Sequence, residues 1–208
     1  ISWLEWGTYL TSYLWLPLIL LSIDKIFTKS KYWFFVLVFS LSATVFGGHI
    51  QMAFYSWLLS FCYLVFRHFQ KNNAKTSLFI FLAFILAVLI TSVQTIPTFE
   101  FLSLSNRDVD QPFLRPDWFL PYKHLISFVA PDFFGNPTRL NYWGVFNYIE
   151  FNGYFGIISL VFAVFAFLSF KKKADVKFFS VMFVLSLLLA VSNPISRLPF
   201  IFHLPFIS

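Results

Sequence analysis

The sequence is poor in charged residues and in cysteine, and it lacks the usual signatures of soluble enzymes. Only 12% of its 208 residues are charged, against about 25% in an ordinary soluble domain, which argues against a water-soluble globule. The single cysteine, Cys62, lies within an apolar run, so an internal disulfide is excluded. No phosphate-binding glycine loop, nucleophile triad or Cys/His metal-ligand spacing occurs. Of these absences, the low charge is the one that points to a membrane protein.

Apolar and aromatic residues dominate what is present. Hydrophobic residues make up 59% of the chain and aromatic residues 23%, with 32 Phe, and the mean hydropathy is +0.75. A membrane-spanning helix needs about 20 apolar residues. The apolar runs therefore predict an all-α polytopic membrane protein, residues 1–208 forming one module of about six transmembrane helices. The predicted spans lie near residues 8–23, 32–46, 50–66, 78–96, 154–170 and 177–191.

The distribution of basic residues predicts how these spans are oriented. Cytoplasmic loops of membrane proteins retain Lys and Arg, and ten of the fifteen basic residues fall in or beside the connections at 24–31, 67–77 and 171–177. Seven of the nine acidic residues fall on the other face. We therefore expect these three connections in the cytoplasm and both ends of the chain outside. This topology accounts for the net charge of +6 without a surface for nucleic acid.

The longest connection, residues 97–153, is predicted to be a folded outer loop. Its 57 residues are too many for a simple link between helices, and they include six prolines and 14 aromatic residues. Pro121 and Pro131 bracket a short segment that predicts an interfacial helix, with Lys123 and His124 facing lipid headgroups. The alternative is an aromatic belt that only anchors the loop.

A glycine pair separates the second and third spans. The junction Gly47-Gly48-His49-Ile50-Gln51 predicts a tight hairpin near the outer boundary of the hydrocarbon. Irregular backbone at that depth is tolerated where it lines a protein or water-filled cavity, and polar side chains there are often functional. We expect His49 and Gln51 to face such a cavity. The alternative is that His49 only caps the turn.

The predicted topology brings polar residues from several connections to one depth on the outer face. A pocket at this boundary suits a lipid-linked polar substrate, because the tail can stay in the bilayer while the head enters the pocket. Besides the hairpin, the expected pocket comprises Gln94, Glu100, Asp132, Asn136, Glu150 and Asn152.

Four segments in a fixed order carry a resemblance to a known family. They are Gly47 to Gln51, Ile96 to Glu100 with Ser105 and Arg107 after it, Lys123 to Asn136, and Glu150 ahead of Gly153 to Ile157. Together they resemble the bacterial YfhO membrane-protein family over nearly the whole chain, with Ile50 where the family often has proline. The resemblance implies a fragment of a larger GT-C-like glycosyltransferase. It also implies that the usual GT-C catalytic carboxylate lies in a first outer loop, N-terminal to these residues.

The resemblance implies a substrate and a place of action. Members are linked to transfer of a sugar from a polyprenyl-phosphate donor to a cell-envelope polymer such as teichoic acid, on the outer face of the bacterial cytoplasmic membrane. The implied partners are membrane lipid, the polyprenyl-linked sugar and the polymer acceptor, with no nucleic acid. The sugar and any requirement for a divalent metal stay open.

Inverting attack by an acceptor hydroxyl needs a carboxylate to take its proton and cationic or hydrogen-bonding groups to hold the departing phosphate. For the first role the predicted catalytic residues are Asp132 and Glu150. Each of these acids has a simpler interpretation as a solvated or ion-paired loop residue. No metal ligands are predicted. The predicted substrate-binding residues are His49, Gln51, Gln94, Glu100, Arg107, Lys123, His124, Asn136, Arg139 and Trp143.

Two other functional classes stay open at this point. A transporter or flippase of lipid-linked sugars would be expected to show interrupted spans in two repeats, with polar groups near the bilayer midplane. The sequence shows no internal repeat. A non-catalytic membrane scaffold would not need the pocket.

Overall fold

The computed structural model describes residues 8–28, 30–104, 119–145, 148–168 and 173–198. Within these ranges the regular structure is helical, apart from one isolated parallel bridge between Leu120 and Val191. The chain divides into two compact units, an N-terminal unit of Ile1–Asp110 and a C-terminal unit of Gln111–Ser208.

The N-terminal unit is a helical bundle whose helix ends follow local sequence signals. Pro17 lies in the first turn of the second helix, where its missing N–H costs nothing. The side chains of His49 and Asn73 accept hydrogen bonds from Met52 N and Thr76 N and so cap the fourth and fifth helices. The helices are α1 (Thr8–Tyr13), α2 (Leu16–Phe27), α3 (Trp33–Phe46), α4 (Ile50–Lys71) and α5 (Ala74–Ser103).

Helix α5 is longer than the sequence predicts. The expected span ends at residue 96, because proline normally stops a helix, yet Pro97 lies inside α5. Pro97 has no N–H to donate to the carbonyl of Val93, four residues earlier. Membrane helices tolerate such a proline where neighbouring groups make up for the lost bond. At a rise of 1.5 Å per residue its 30 residues measure about 45 Å. This exceeds the ~30 Å hydrocarbon core of a bilayer.

The bundle buries large apolar and small polar side chains together, and it also exposes many large apolar side chains. Its interior includes eight Ser and Thr side chains at 5% exposure or less: Ser12, Ser22, Ser40, Ser42, Thr44, Ser56, Ser60 and Thr91. One face of α5 is instead an exposed stripe of Leu78, Leu82, Ile85, Leu89, Val93 and Ile96. Small residues between helices and large apolar residues outside are the arrangement of helices packed in lipid.

Among the described residues, three helical segments are long and apolar enough to cross a membrane. They are Tyr9–Phe27, Ile50–Lys71 and Ala74–Ser103. Trp33–Phe46 and Ile157–Leu168 are apolar but shorter, with 14 and 12 residues. They coincide with two further predicted spans. The structure thus agrees with an all-α membrane protein, while the count of six spans and the single long outer loop stay predictions.

The C-terminal unit combines a loop of short helices with two apolar helices. The loop contains 3₁₀ helices at Tyr122–Phe128 and Pro137–Arg139, then α6 (Tyr148–Phe151). A short helix is therefore present where the sequence predicts one, in the 3₁₀ form, and its position at the membrane interface stays a prediction. The main buried side chains of the C-terminal unit are aromatic: Phe119, Phe134, Phe151 and Phe178. Helices α7 (Ile157–Leu168) and α8 (Ala174–Ala190) and a 3₁₀ helix at Ile195–Arg197 follow.

Candidate functional site

The hairpin between α3 and α4 needs both of its glycines. A Cβ at Gly47 would lie 2.6 Å from the backbone nitrogen of Ser12, so α1 could not approach this closely if another residue stood there. Gly48 has φ of 93°, a conformation that side chains disfavour. Helix α1 also binds the turn, because the Thr11 hydroxyl donates to Gly47 O at 2.9 Å and His49 N donates to Ser12 Oγ at 3.1 Å.

His49 caps α4 and stacks on α1. Its Nδ1 accepts from Met52 N at 3.2 Å, and its ring centroid lies 4.2 Å from that of Tyr9. An accepting Nδ1 requires a neutral ring with its proton on Nε2. Nε2 has no hydrogen-bond partner in the part of the chain that is described. His49 therefore performs the capping role that the sequence left open, and its other nitrogen can still donate to a ligand.

The other predicted site residues of the N-terminal unit are spread along two helices. Gln51 is half-buried in the first turn of α4, where its Nε2 donates to the Tyr55 hydroxyl at 3.0 Å. Gln94 is half-buried in α5, and Glu100 is exposed beyond Pro97. No hydrogen bond or ion pair joins these side chains to His49 among the described residues.

In the C-terminal unit, Asp132 is the centre of a small hydrogen-bonded cluster. Its Oδ1 accepts from the Tyr148 hydroxyl at 2.9 Å and from Asn136 Nδ2 at 3.1 Å. The residue is exposed, and its Oδ2 has no partner among the described residues. Burial and the adjacent Asp132 carboxylate raise the pKa of Tyr148, which keeps its proton available for this bond. One carboxylate oxygen is therefore fixed in place while the other faces solvent.

The loop around Asp132 depends on Gly135. Gly135 has φ of 80°, and a Cβ there would overlap the backbone oxygen of Asn141. The turn is closed by Gly135 N donating to Asp132 O at 2.9 Å and by Asn136 N donating to Asn141 Oδ1 at 2.9 Å. Gly135 thus allows the chain to fold back so closely that Asn136 can reach the Asp132 carboxylate.

The prediction that His124 faces lipid headgroups is wrong. The side chain is buried, with 2% exposure. Its ring stacks on Phe134 at 4.2 Å, and Nε2 accepts from Val145 N at 3.3 Å. Burial, with a smaller effect from the neighbouring Lys123, lowers the pKa of His124. A neutral, buried imidazole organises the loop and does not present a charge to a phosphate.

An exposed aromatic surface lies next to the Asp132 cluster. Trp143 is 64% exposed and Phe133 is 48% exposed, with their ring centroids 6.1 Å apart. Trp143 also packs edge-on against Phe134 and donates its backbone N–H to Phe134 O. Two rings held in this way offer flat apolar faces to a ligand.

The structure says less about the surroundings of the remaining predicted site residues. Lys123 and Arg139 are exposed cations of the same unit. Glu150 is exposed on α6 and has no hydrogen bond or ion pair among the described residues, so it does not join the Asp132 cluster. Arg107 lies outside the described residues. The pocket expected from the sequence takes residues from both units and stays a prediction.

Tyr148 is the functional candidate that sequence reasoning missed. It lies 16 residues from Asp132 in a loop with 14 aromatic residues, and nothing in the local pattern distinguishes it from the others. The structure identifies it because its hydroxyl reaches the carboxylate. No group of three or more His, Cys, Asp or Glu side chains suited to a metal occurs in the ranges that the structure describes.

The comparisons with known proteins give one match. The family model described as bacterial membrane protein YfhO matches residues 1–205. No curated protein and no solved structure matches the chain significantly. The family match covers nearly the whole sequence, and the apolar helices agree with a membrane protein. The chain belongs to the bacterial membrane protein YfhO family.

Proposed function

We propose that the chain is part of a membrane glycosyltransferase that transfers a sugar from a polyprenyl-phosphate donor to a cell-envelope polymer such as teichoic acid, on the outer face of the cytoplasmic membrane. The observation that carries the proposal is the exposed Asp132 carboxylate. One of its oxygens is held by Tyr148 and Asn136, and exposed aromatic rings lie beside it. Family membership supports a glycosyltransferase-like role.

In this proposal Asp132 is the general base. The acceptor hydroxyl oxygen attacks the anomeric carbon, the bond from that carbon to the phosphate oxygen breaks, and polyprenyl phosphate leaves with the bonding electrons. The hydroxyl proton passes to Oδ2 of Asp132, the oxygen that Tyr148 and Asn136 leave unoccupied. Such a base contributes about 10²–10⁴-fold to rate. Glu150 is a second carboxylate in the same unit, and its role stays subordinate because no described contact orients it.

The other side chains have supporting roles in the proposal. Trp143 stacks on a sugar face through its exposed ring. Lys123 and Arg139 offset the charge that develops on the phosphate. In the N-terminal unit, the Nε2 proton of His49 is available to a phosphate or sugar oxygen, and Gln51, Gln94 and Glu100 supply further polar groups. We expect the donor lipid to reach these groups from the membrane.

The test distinguishes transfer from transport. Full-length protein in liposomes receives polyprenyl phosphate carrying a radiolabelled sugar, together with purified teichoic acid. Label in the polymer with an equal amount of released polyprenyl phosphate supports the proposal. Movement of the intact lipid-linked sugar across the bilayer without release would indicate a flippase. If neither transfer nor movement across the bilayer occurs, the result would indicate a scaffold. The flippase result and the scaffold result would each refute a transferase.

A further inference from the structure

An open groove of about 310 Å³ lies between α4 and α5, beside the connection that joins them. Helix α4 ends at Lys71 and α5 begins at Ala74, so the connection has only two residues. The wall of the groove is mainly apolar and includes Val65 from α4 and Leu78 and Phe81 from α5. These three side chains are also exposed, so the groove is open to the surroundings of the bundle.

The groove becomes polar towards the connection, where His68 and Ser77 line it. The Ser77 hydroxyl donates to Asn73 O at 3.0 Å, so its oxygen accepts the proton of His68 Nδ1 at 2.9 Å. This bond joins α4 to α5. Nε2 of His68 has no hydrogen-bond partner among the described residues and is not buried. His68 therefore marks the boundary between the apolar wall and a polar end.

Beyond this boundary each helix carries an exposed lysine. Lys71 lies three residues after His68 on α4, and Lys75 lies three residues before Leu78 on α5. Residues three apart lie on the same face of a helix, so each lysine extends the face that lines the groove. The groove thus passes from apolar side chains to two cations, one on each of its two helices.

The two lysines lie in a part of the chain that has no acidic residues. No Asp or Glu occurs between residues 25 and 99. Asp24, just before this stretch, is bound to Arg67. Neither Lys71 nor Lys75 forms an ion pair among the described residues. An apolar groove that ends at two cations without counter-charges is complementary to a molecule with an apolar chain and an anionic head.

Membrane lipid is the source of such a molecule that fits this place. Lysines near the membrane surface attract anionic lipid headgroups, whereas a free anion would leave the apolar wall uncovered. In the predicted orientation the connection is cytoplasmic, and the sugar donor is proposed to act on the outer face. A lipid of the bilayer itself is therefore the expected occupant.

We propose that this groove binds an anionic glycerophospholipid, with its phosphate between Lys71 and Lys75 and one acyl chain along Val65, Leu78 and Phe81. The site is separate from the sugar-transfer chemistry proposed above, and its test does not depend on that chemistry.

The first test compares two lipids that differ in headgroup charge. Purified full-length protein in a non-ionic detergent is mixed with dioleoyl phosphatidylglycerol or dioleoyl phosphatidylcholine, and the retained lipid is measured by native mass spectrometry. Each lysine should contribute about fivefold to a preference for the anionic lipid. The double variant Lys71→Gln/Lys75→Gln should therefore lose most of this preference.

The matched control is Lys173→Gln/Lys177→Gln, which removes two exposed lysines near the start of α8 and changes the net charge equally. This control should keep the preference. Equal retention of the two lipids by the unmodified protein would refute the proposal. An equal loss of preference in both double variants would also refute it, because the attraction would then come from the overall charge and not from this site.

A second pair of variants tests the groove itself. Val65→Phe places a ring in the groove, and retention of phosphatidylglycerol should fall severalfold. Leu58→Phe is the matched control, because Leu58 is an exposed residue two turns earlier on the same face of α4 and does not line the groove. It should retain lipid normally.

Three results of this second test would overturn the proposal. Unchanged retention in Val65→Phe would place the lipid elsewhere. Displacement of phosphatidylglycerol by equimolar polyprenyl phosphate or inorganic phosphate would assign the lysines to another anion. A dimer that dissociates in Val65→Phe would assign the groove to a second copy of the chain.

Discussion

Helices α2 and α4 are joined by an ion pair whose loss should be measurable. Arg67 binds Asp24 through Nε–Oδ1 at 2.7 Å and Nη2–Oδ2 at 3.1 Å. The Tyr63 hydroxyl lies within 3.0 Å of both carboxylate oxygens. The Arg67 side chain is 11% exposed and that of Asp24 is 39% exposed. Asp24→Asn keeps the shape of the side chain but leaves a nearly buried guanidinium without its counter-charge.

The partial exposure of the pair determines the expected magnitude. Breaking a fully buried pair costs about 3–5 kcal/mol, whereas an exposed pair is worth about 0–1 kcal/mol. For Asp24→Asn we expect a loss of about 2 kcal/mol in the free energy of unfolding, between these limits. The double variant Asp24→Asn/Arg67→Gln removes both charges together. It should therefore lose less than the sum of the two single variants, by about 1 kcal/mol or more.

Unfolding by titration with a denaturing detergent in mixed micelles measures these free energies. Lys71→Gln is the matched control, because it removes an exposed charge from the end of the same helix and should stay within about 0.5 kcal/mol of the unmodified protein. The reasoning is refuted if Asp24→Asn is as stable as this control, or if the double variant loses the full sum.

Three further predictions concern the loop and the topology. Gly135→Ala should unfold the turn below the Asp132 cluster, because its Cβ would overlap a backbone oxygen, and should lower sugar transfer without altering the helix content seen by circular dichroism. The pKa of His124 is lowered in the folded loop. The contribution of His124 to stability is therefore present above about pH 6.5 and should be lost as the pH falls below that value. His124→Gln should flatten this acidic part of a plot of melting temperature against pH. In a cysteine-free background on intact cells, an impermeant thiol reagent should label Asn106→Cys and not Asn73→Cys, and the reverse pattern would refute the orientation.

Features set by near neighbours in the chain were predictable. The hairpin at Gly47 and Gly48 and the start of α4 at residue 50 follow from glycine conformation and from the change to apolar sequence. The end of the next span, expected at residue 96, could not be predicted, because the rule that proline stops a helix has exceptions in membranes. Helix α5 continues through Pro97, although the proline has no N–H for the carbonyl one turn earlier.

Features set by distant parts of the chain could not be predicted. Lys123 and His124 form a polar pair in sequence, but the backbone N–H that binds His124 is 21 residues away. The bond from Tyr148 to Asp132 likewise depends on how the loop folds back at Gly135. The sequence identified the acid as a candidate, and only the fold identifies the groups that orient it.

The most direct test of the proposed transferase is the rate of sugar transfer by full-length Asp132→Asn protein in liposomes. The matched control is Asp175→Asn, the same change at an exposed acid in the first turn of α8. We expect Asp132→Asn to lower transfer at least about 100-fold, with an unchanged melting temperature, while the control transfers sugar at the normal rate. Transfer by Asp132→Asn at the rate of the control would contradict the assignment of Asp132 as the base.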